Sequence, residues 1–294
     1  MLHEKGFTYK ERRIAVTLKL KRSESFYIRE GWIEKAINAI KEADHNIFTK
    51  NEGVRYLGIG SNMVKGLKYW LKAADIIKDS KFNELTEFGN ALYMYDRYMD
   101  SKFSWYFVHY FLSTNKEDCP IFYFVFAQQQ VKQFTKNELT DFILEQYSEE
   151  AASINRKNLE ADVNTFVKSY VTEEIITNPE NNYACPLASL NLLKKTGNKH
   201  SLCTPSYKSL NCLVVYYALT KLYQNSFVIE ESMEKEKSPF KIFNLDKYLY
   251  LQYLEEMRKM GLVTINKTAG LNTVYIEEHL SLNQVFEKYF GDVQ

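Results

Sequence analysis

The sequence predicts a mainly α protein with short β hairpins, an α+β fold, organised as tandem winged-helix or helix-turn-helix-like units. Three observations lead there. Glycine and proline are scarce, at 11 and 5 of 294 residues, and a β-sandwich or barrel needs turn residues roughly every 8–12 positions. Apolar residues recur at helical spacing in several windows. Near the C-terminus a helical window runs into two short apolar stretches separated by NKTAG, the pattern of a helix followed by a hairpin. The windows group into three units, at 1–97, 98–205 and 206–294.

In the first unit, Trp32, Ile33, Ala36, Ile37, Ile40 and Ala43 fall on one helical stripe. A polar segment ending in VRYLGIGS precedes a helix over Asn62–Lys78, with Ser61 as its N-cap. Met63, Leu67, Trp70, Leu71, Ala74 and Ile77 form its core face. Phe82–Leu92 is expected as the wing or a return strand. In the central unit, Trp105–Leu112 reads as helix and Ile121–Ala127 as a strand or a buried segment. Thr135 and Glu138 have the spacing of a capping box. The helix they open buries Leu139, Phe142, Ile143 and Tyr147, and a second helix over Arg156–Val171 completes a helix-turn-helix-like pair. In the third unit a helix over Leu210–Gln224 is followed by a charged loop, EESMEKEKSP. Asn244 then caps a helix that carries Tyr250, Tyr253, Leu254 and Met257 and stops at Gly261. Leu262–Ile265 and Leu271–Ile276 form the hairpin, with Lys267 at its tip.

Composition narrows the function classes. With 45% hydrophobic and 26% charged residues the chain is globular rather than disordered. A net charge of +1 excludes a uniformly basic coat protein and an acidic tail. The longest clean apolar run, Ile121–Ala127, is far short of the about 20 residues a membrane span needs. The N-terminus, MLHEKGFTYKERR, has no apolar core of a signal peptide. Four cysteines without a CxxC pair then indicate reduced thiols in a cytoplasm.

The charge is segregated. Residues 1–30 hold eight Lys/Arg against four Asp/Glu, and 50–81 seven against three. Residues 137–180 hold three against ten, and 181–229 hold five lysines and no acid. An acid-free stretch suits a surface facing a polyanion, or equally a buried Leu/Tyr-rich segment with a few surface lysines. Lys65, Lys68 and Lys72 lie on a stripe apart from the core face of Asn62–Lys78. This gives 1–97 the reading of a DNA-binding unit, with Ser61, Asn62, Lys65, Lys68 and Lys72 on duplex DNA and Asn62–Lys78 as recognition helix. Lys194, Lys195 and Lys199 form a second basic patch. The exposed face of the third unit mixes Glu255 and Glu256 with Arg258 and Lys259, which suits a protein partner better.

Candidate chemistry is sparse. Gly58-Ile-Gly60 before a helix start can bind phosphate through backbone N–H groups or serve as a tight turn. The dinucleotide pattern fails at Met63, and there is no P-loop. Cys185, His200, Cys203 and Cys212 can be written as a zinc set, although buried thiols explain the cysteines as well. Asp96, Asp100 and Lys102 approach a metal-dependent nuclease arrangement that would hold Mg²⁺. Alternatively, Asp100 or Ser101 simply caps the helix at Trp105. Asp79-Ser-Lys81 has a similar look. His109, among aromatics, reads as a satisfied core histidine.

One set of residues carries a family signature. Phe26, Arg29, Gly31 and Trp32 give F-x-x-R-x-G-W, Leu57 to Val64 read L-G-I-G-S-N-M-V, and Tyr69-Trp70 follow. Thr86–Gly89, Trp105 with His109, and Cys185-Pro-Leu187 extend it. Over roughly 20–280 the chain resembles the family of domain of unknown function 4007, which includes SspB-type proteins of bacterial DNA phosphorothioate modification operons. The resemblance implies a DNA-binding protein that nicks one strand. It would work with a cysteine desulfurase, an ATPase and a sulfurtransferase in replacing a non-bridging phosphate oxygen by sulfur, a mark used in phage defence. It assigns no catalytic residues. A non-catalytic winged-helix regulator or adaptor is the alternative on the same residues.

Overall fold

The segment Lys102–Thr114 carries apolar side chains on all sides, and a helix of that kind is stable only when enclosed. In the computed structural model, which describes residues 18–49, 52–78, 84–147, 154–172, 184–268 and 271–291, it is helix α5. Ten of its residues are buried, from Phe103 through Ser113. Helices precede it at Trp32–Glu42 (α1), Glu52–Leu57 (α2), Ser61–Ala73 (α3) and Glu87–Tyr95 (α4). After it come α6 (Pro120–Phe122), which runs on as a π-helical turn over Tyr123–Gln128, the short strand β1 (Gln133–Phe134), and helices α7 (Lys136–Gln146) and α8 (Arg156–Tyr170). A 3₁₀ turn at Pro186–Leu190 leads to the hairpin β2 (Leu193–Thr196) and β3 (Lys199–Leu202). The remainder is α9 (Cys212–Leu222), β4 (Ser226–Val228), α10 (Ile229–Glu234), α11 (Pro239–Ile242), α12 (Lys247–Lys259), β5 (Val263–Thr268), β6 (Leu271–Ile276) and α13 (Leu282–Gly291).

Helices dominate, with two small antiparallel sheets of order β1-β3-β2 and β4-β6-β5. The fold is α+β. Rings from distant parts of the chain meet on α5. Phe107 lies 6.0 Å from Phe88, 5.3 Å from Tyr217 and 5.2 Å from Phe286, centroid to centroid. Tyr106 meets Phe243. The histidine in this core is paired on both ring nitrogens. His109 Nε2 donates to the Ile242 carbonyl at 2.9 Å, and its Nδ1 accepts the Tyr170 hydroxyl at 2.6 Å. Burial lowers the His109 pKa to about 4, so the ring is neutral. It is the satisfied core histidine its setting implied.

Several local expectations hold. Thr135 and Glu138 form both bonds of the capping box. α12 ends at Gly261, whose φ of 75° supports the left-handed turn of a helix stop, with Leu262 N bonded to the Met257 carbonyl.

Others are corrected. Ser61 is the first residue of α3 rather than its cap, because Gly60 occupies the capping position. α3 ends at Ala73, not Lys78, since Asp75 takes a left-handed φ of 54° and Ile76 N closes onto the Leu71 carbonyl. The expected wing is helix α4 instead. Thr86 Oγ1 accepts the Gly89 N–H at 3.1 Å and starts a helix in place of the expected wing or return strand. Only Leu85 makes a bridge, to Ile77, and Phe82 and Asn83 lie outside the described residues. Ile121–Ala127 is helical and wholly buried. Asp246, not Asn244, caps α12, accepting the Leu249 N–H at 2.8 Å. The charged loop contains α10 and α11, pinned by buried Ile229, Met233 and Ile242. The hairpin pairs as far as Thr268 and Leu271, so Lys267 sits opposite Asn272, below the tip.

The loop 21–26 lies across α3. Trp70 Nε1 donates to the Phe26 carbonyl at 2.8 Å. A Cβ at Gly66 would approach the Ser23 carbonyl oxygen to 2.7 Å. Gly66→Ala is therefore expected to cost about 1–3 kcal/mol, the usual range for overpacking, read from a lowered urea midpoint. On the other side, Asp162 Oδ2 accepts the Lys21 backbone N–H at 2.7 Å, tying this loop to α8. Burial, only partly offset by Lys21, raises the Asp162 carboxyl from 3.8 to about 6. A raised carboxyl stabilises the fold fully below its unfolded pKa, and that contribution is lost as pH rises through the folded value. Between about pH 4 and pH 6 wild-type stability should thus fall through this group, by at most about 3 kcal/mol. Asp162→Asn should remove that fall. Parallel pH profiles for the two proteins would refute the assignment.

Candidate nucleic-acid interface

α3 turns Val64, Leu67, Trp70 and Leu71 into the core. Its opposite side presents Ser61, Asn62, Lys65 and Lys72 exposed and Lys68 half-buried. The two ends of this stripe, Lys65 and Lys72, are two turns apart. Lys65 Nζ reaches Asn62 Oδ1 at 3.4 Å, and no carboxylate among the described residues pairs with Lys65 or Lys72. Gly60 offers no side chain to the first N–H groups of α3, so these remain available to an anion. Gly58 makes the preceding turn with φ 65°.

The second patch is a hairpin. Lys194 pairs with Ser201, Lys195 with His200, and Thr196 with Lys199. Alternation along the strands puts Lys194 and Lys199 on one face and Lys195 on the other. All three lysines are exposed. The face of Lys195 is anchored by His200, which is buried and stacked 5.8 Å from Phe134. Gly197, at φ 62°, begins the two-residue turn.

Asp96, Asp100 and Lys102 do not assemble a metal centre. Asp96 is 8% exposed and sits at the end of α4. Its two oxygens accept the N–H groups of Asp100 at 3.0 Å and Ser101 at 3.2 Å. Burial raises its carboxyl above the usual carboxylate value, with the nearby Ser104 hydroxyl and those two backbone bonds offsetting only part of the rise. Ser101 caps α5 by accepting from Phe103 N. The Asp100 and Lys102 side chains are exposed. Among the described residues no cluster of three or more His, Cys, Asp or Glu side chains is placed to hold a metal ion. The donor set here does not fit Mg²⁺. Asp79-Ser-Lys81 lies outside the described residues.

The zinc set also fails to gather. Cys185 and Cys212 are buried, and burial pushes their thiols up to about 12 and about 11, which disfavours the thiolate that zinc requires. Cys212 Sγ is 3.7 Å from Met260 Sδ, and Cys203 Sγ turns to the Ser201 carbonyl.

One concavity was not legible in the sequence. An open cleft of about 280 Å³ lies where α5 and α9 begin, lined by Lys102, Tyr207, Lys208, Asn211, Glu256 and Tyr289. The signal that pointed toward it was the acid-free stretch, which contains Tyr207, Lys208 and Asn211.

A family model described as protein of unknown function (DUF4007) matches residues 20–290. The chain belongs to that family. The fold of this family member is shared with a crystal structure of SspB and with a magnesium ion-bound crystal structure of SspB. Each is 20% identical and matches over 93% of this chain and 88% of the other, with a TM-score of 0.78. No curated protein matches by sequence. The signature residues have structural roles here. Gly31, at φ 74°, turns the chain into α1 ahead of buried Trp32, and Gly58 and Gly60 turn it into α3.

The geometry gives Asp96 a structural role, closing the turn between α4 and α5. Asp96→Ala is expected to lower stability by about 1–3 kcal/mol, because the Asp100 and Ser101 N–H groups lose their acceptor, while Asp100→Ala leaves the unfolding midpoint nearly unchanged. Equal effects of the two substitutions would contradict that role.

Proposed function

We propose that this protein is a DNA-binding component of a bacterial DNA phosphorothioate modification and phage-defence system. The observation that carries the reading is the fold it shares with SspB over nearly its whole length. The exposed lysines of α3 and of the β2–β3 hairpin supply the physical means, since cations on rigid elements hold backbone phosphates. Asn62 and the open N-terminus of α3 add donors to the same face.

Nicking of one strand rests on the resemblance alone. Asp96, committed to two backbone N–H groups, and Asp100 do not form a pair that would hold Mg²⁺. A specific observation favours the second reading, a non-catalytic winged-helix regulator or adaptor. Residues 212–276 run helix, strand, two short helices, longer helix, hairpin, with the single strand β4 paired to β6, which is the element order of a winged helix. In that frame α12 takes the recognition position. Tyr248, 78% exposed, and Leu251 lie on its outer side, and Arg258 is closed onto Glu255 by two bonds of 2.9 and 2.6 Å. That face suits an operon partner (the desulfurase, ATPase or sulfurtransferase) better than DNA.

Lys65→Glu with Lys72→Glu should weaken duplex binding by at least about tenfold and make the plot of log affinity against log salt shallower by about two, with the unfolding midpoint preserved. Unchanged affinity and slope would remove α3 as the DNA contact. Supercoiled plasmid incubated with Mg²⁺ or chelator reads both functions at once. Metal-dependent open circles support the nickase, and retardation without nicking supports the adaptor.

A further inference from the structure

The cleft between the starts of α5 and α9 has a composition of its own. Lys102 and Lys208 line it, and among the described residues neither ammonium has a hydrogen-bond or ion-pair partner. Two unsatisfied cations on one concave wall create a positive potential that a bound anion relieves. The cleft's volume of about 280 Å³ is close to the lower end of the range of small-molecule sites. Two tyrosines share the wall, each backed on one side by a fixed ring. Tyr207 lies 5.6 Å from Tyr253 at 26°, and Tyr289 stacks on Phe103 at 3.8 Å and 2°. Glu256 is the single carboxylate in the lining. The Tyr207 hydroxyl donates to its Oε1, which leaves Oε2 to accept from a ligand. The α5 and α9 helix starts, at Lys102 and Cys212, add the positive ends of two backbone dipoles to the lysine pair.

We propose that this cleft binds a nucleotide phosphate, with Lys102 and Lys208 on the anion, a tyrosine ring against the base, and Glu256 accepting a hydroxyl or amino hydrogen. Each part follows from a distinct group. Lysines match a phosphate as point charges. An aromatic ring with a free face takes any base by stacking. A carboxylate beside the lysines rejects a second anionic group and selects a ligand end that carries donors. The site is separate from α3 and from the β2–β3 hairpin, so it can fail without removing those elements as the DNA contact, and they can fail without removing it. The phosphate has two possible sources, a free nucleotide or a DNA strand.

The test compares binding of fluorescently labelled ADP and of a labelled short single-stranded oligonucleotide by anisotropy, for the whole chain and three variants. Lys102→Ala with Lys208→Ala should weaken binding of at least one probe by about tenfold or more, as loss of charge-assisted bonds does, with the unfolding midpoint retained. Tyr207→Ala should weaken the same probe, whereas Tyr207→Phe, which keeps the ring, should not. Lys65→Ala with Lys72→Ala should leave ADP binding intact. Loss confined to ADP identifies a free nucleotide, and loss confined to the oligonucleotide identifies a strand phosphate. Wild-type protein that binds neither probe, or a double-lysine variant that binds both as wild type does, overturns the proposal.

Discussion

Enclosure of α5 is the constraint on which the rest of the structure depends. A helix with Phe103, Trp105, Tyr106, Phe107, Val108 and Tyr110 buried together has no face to give to water. It must be covered by helices drawn from elsewhere, and the rings of α4, α9, α13 and the π-helical turn supply that cover. This explains the unusual aromatic content, 22 Tyr and 19 Phe. Large rings fill the space between helices that cross at varied angles, and edge-to-face pairs add a preference for one arrangement. The polar tips are then obliged to find partners. Tyr106 pairs with Ser209 at 2.9 Å, Trp105 Nε1 donates to the Met99 carbonyl, and His109 bridges Tyr170 and Ile242. The Tyr106 and His109 bonds join segments more than sixty residues apart, so they help select the packing that enclosure demands.

Elements with a local code were legible in the sequence. The Thr135–Glu138 box, the Gly261 stop and the apolar stripes of α1, α3 and α8 each carry a signal within one or two turns. The rest depended on contacts that no window contains. Ile121–Ala127 is apolar at every position, so periodicity cannot distinguish a buried helix from a buried strand. Phe82–Leu92 has apolar residues three or four apart, at Phe82, Leu85, Phe88 and Leu92, and Thr86 as a cap, so here the helical signal was local and the strand expectation passed over it. Asn244 and Asp246 are both good caps, and tertiary packing around Phe243 and Leu245 chose the later one. Asp96 shows the same ambiguity at the candidate site. A carboxylate four residues before another resembles a metal pair, but burial commits it to backbone amides that must be satisfied in the interior.

The acid-free stretch 181–229 combines both of its readings. α9 is the buried Leu/Tyr-rich segment, with Cys212 through Leu219 inside the core. The hairpin before it is the basic surface. Acids are absent from each part for its own reason, since a carboxylate in α9 would be desolvated without a partner, and one beside Lys194 and Lys199 would cancel their field. Lys208 lies between the two and opens onto the cleft.

The basic groups sit on elements whose other faces are locked into the core. α3 is held by Leu67, Trp70 and Leu71, and the hairpin by His200 against Phe134. Rigid mounting matters more for lysines than for residues that read base edges. A phosphate contact carries no sequence information, but its spacing fixes register and orientation on the duplex. On the proposed DNA-binding reading, Lys65 and Lys72, two turns apart on one helix, would position the duplex without discriminating among sequences. If sequence is recognised at all in such a system, the burden falls on other side chains of the assembly or on the deformability of the DNA itself.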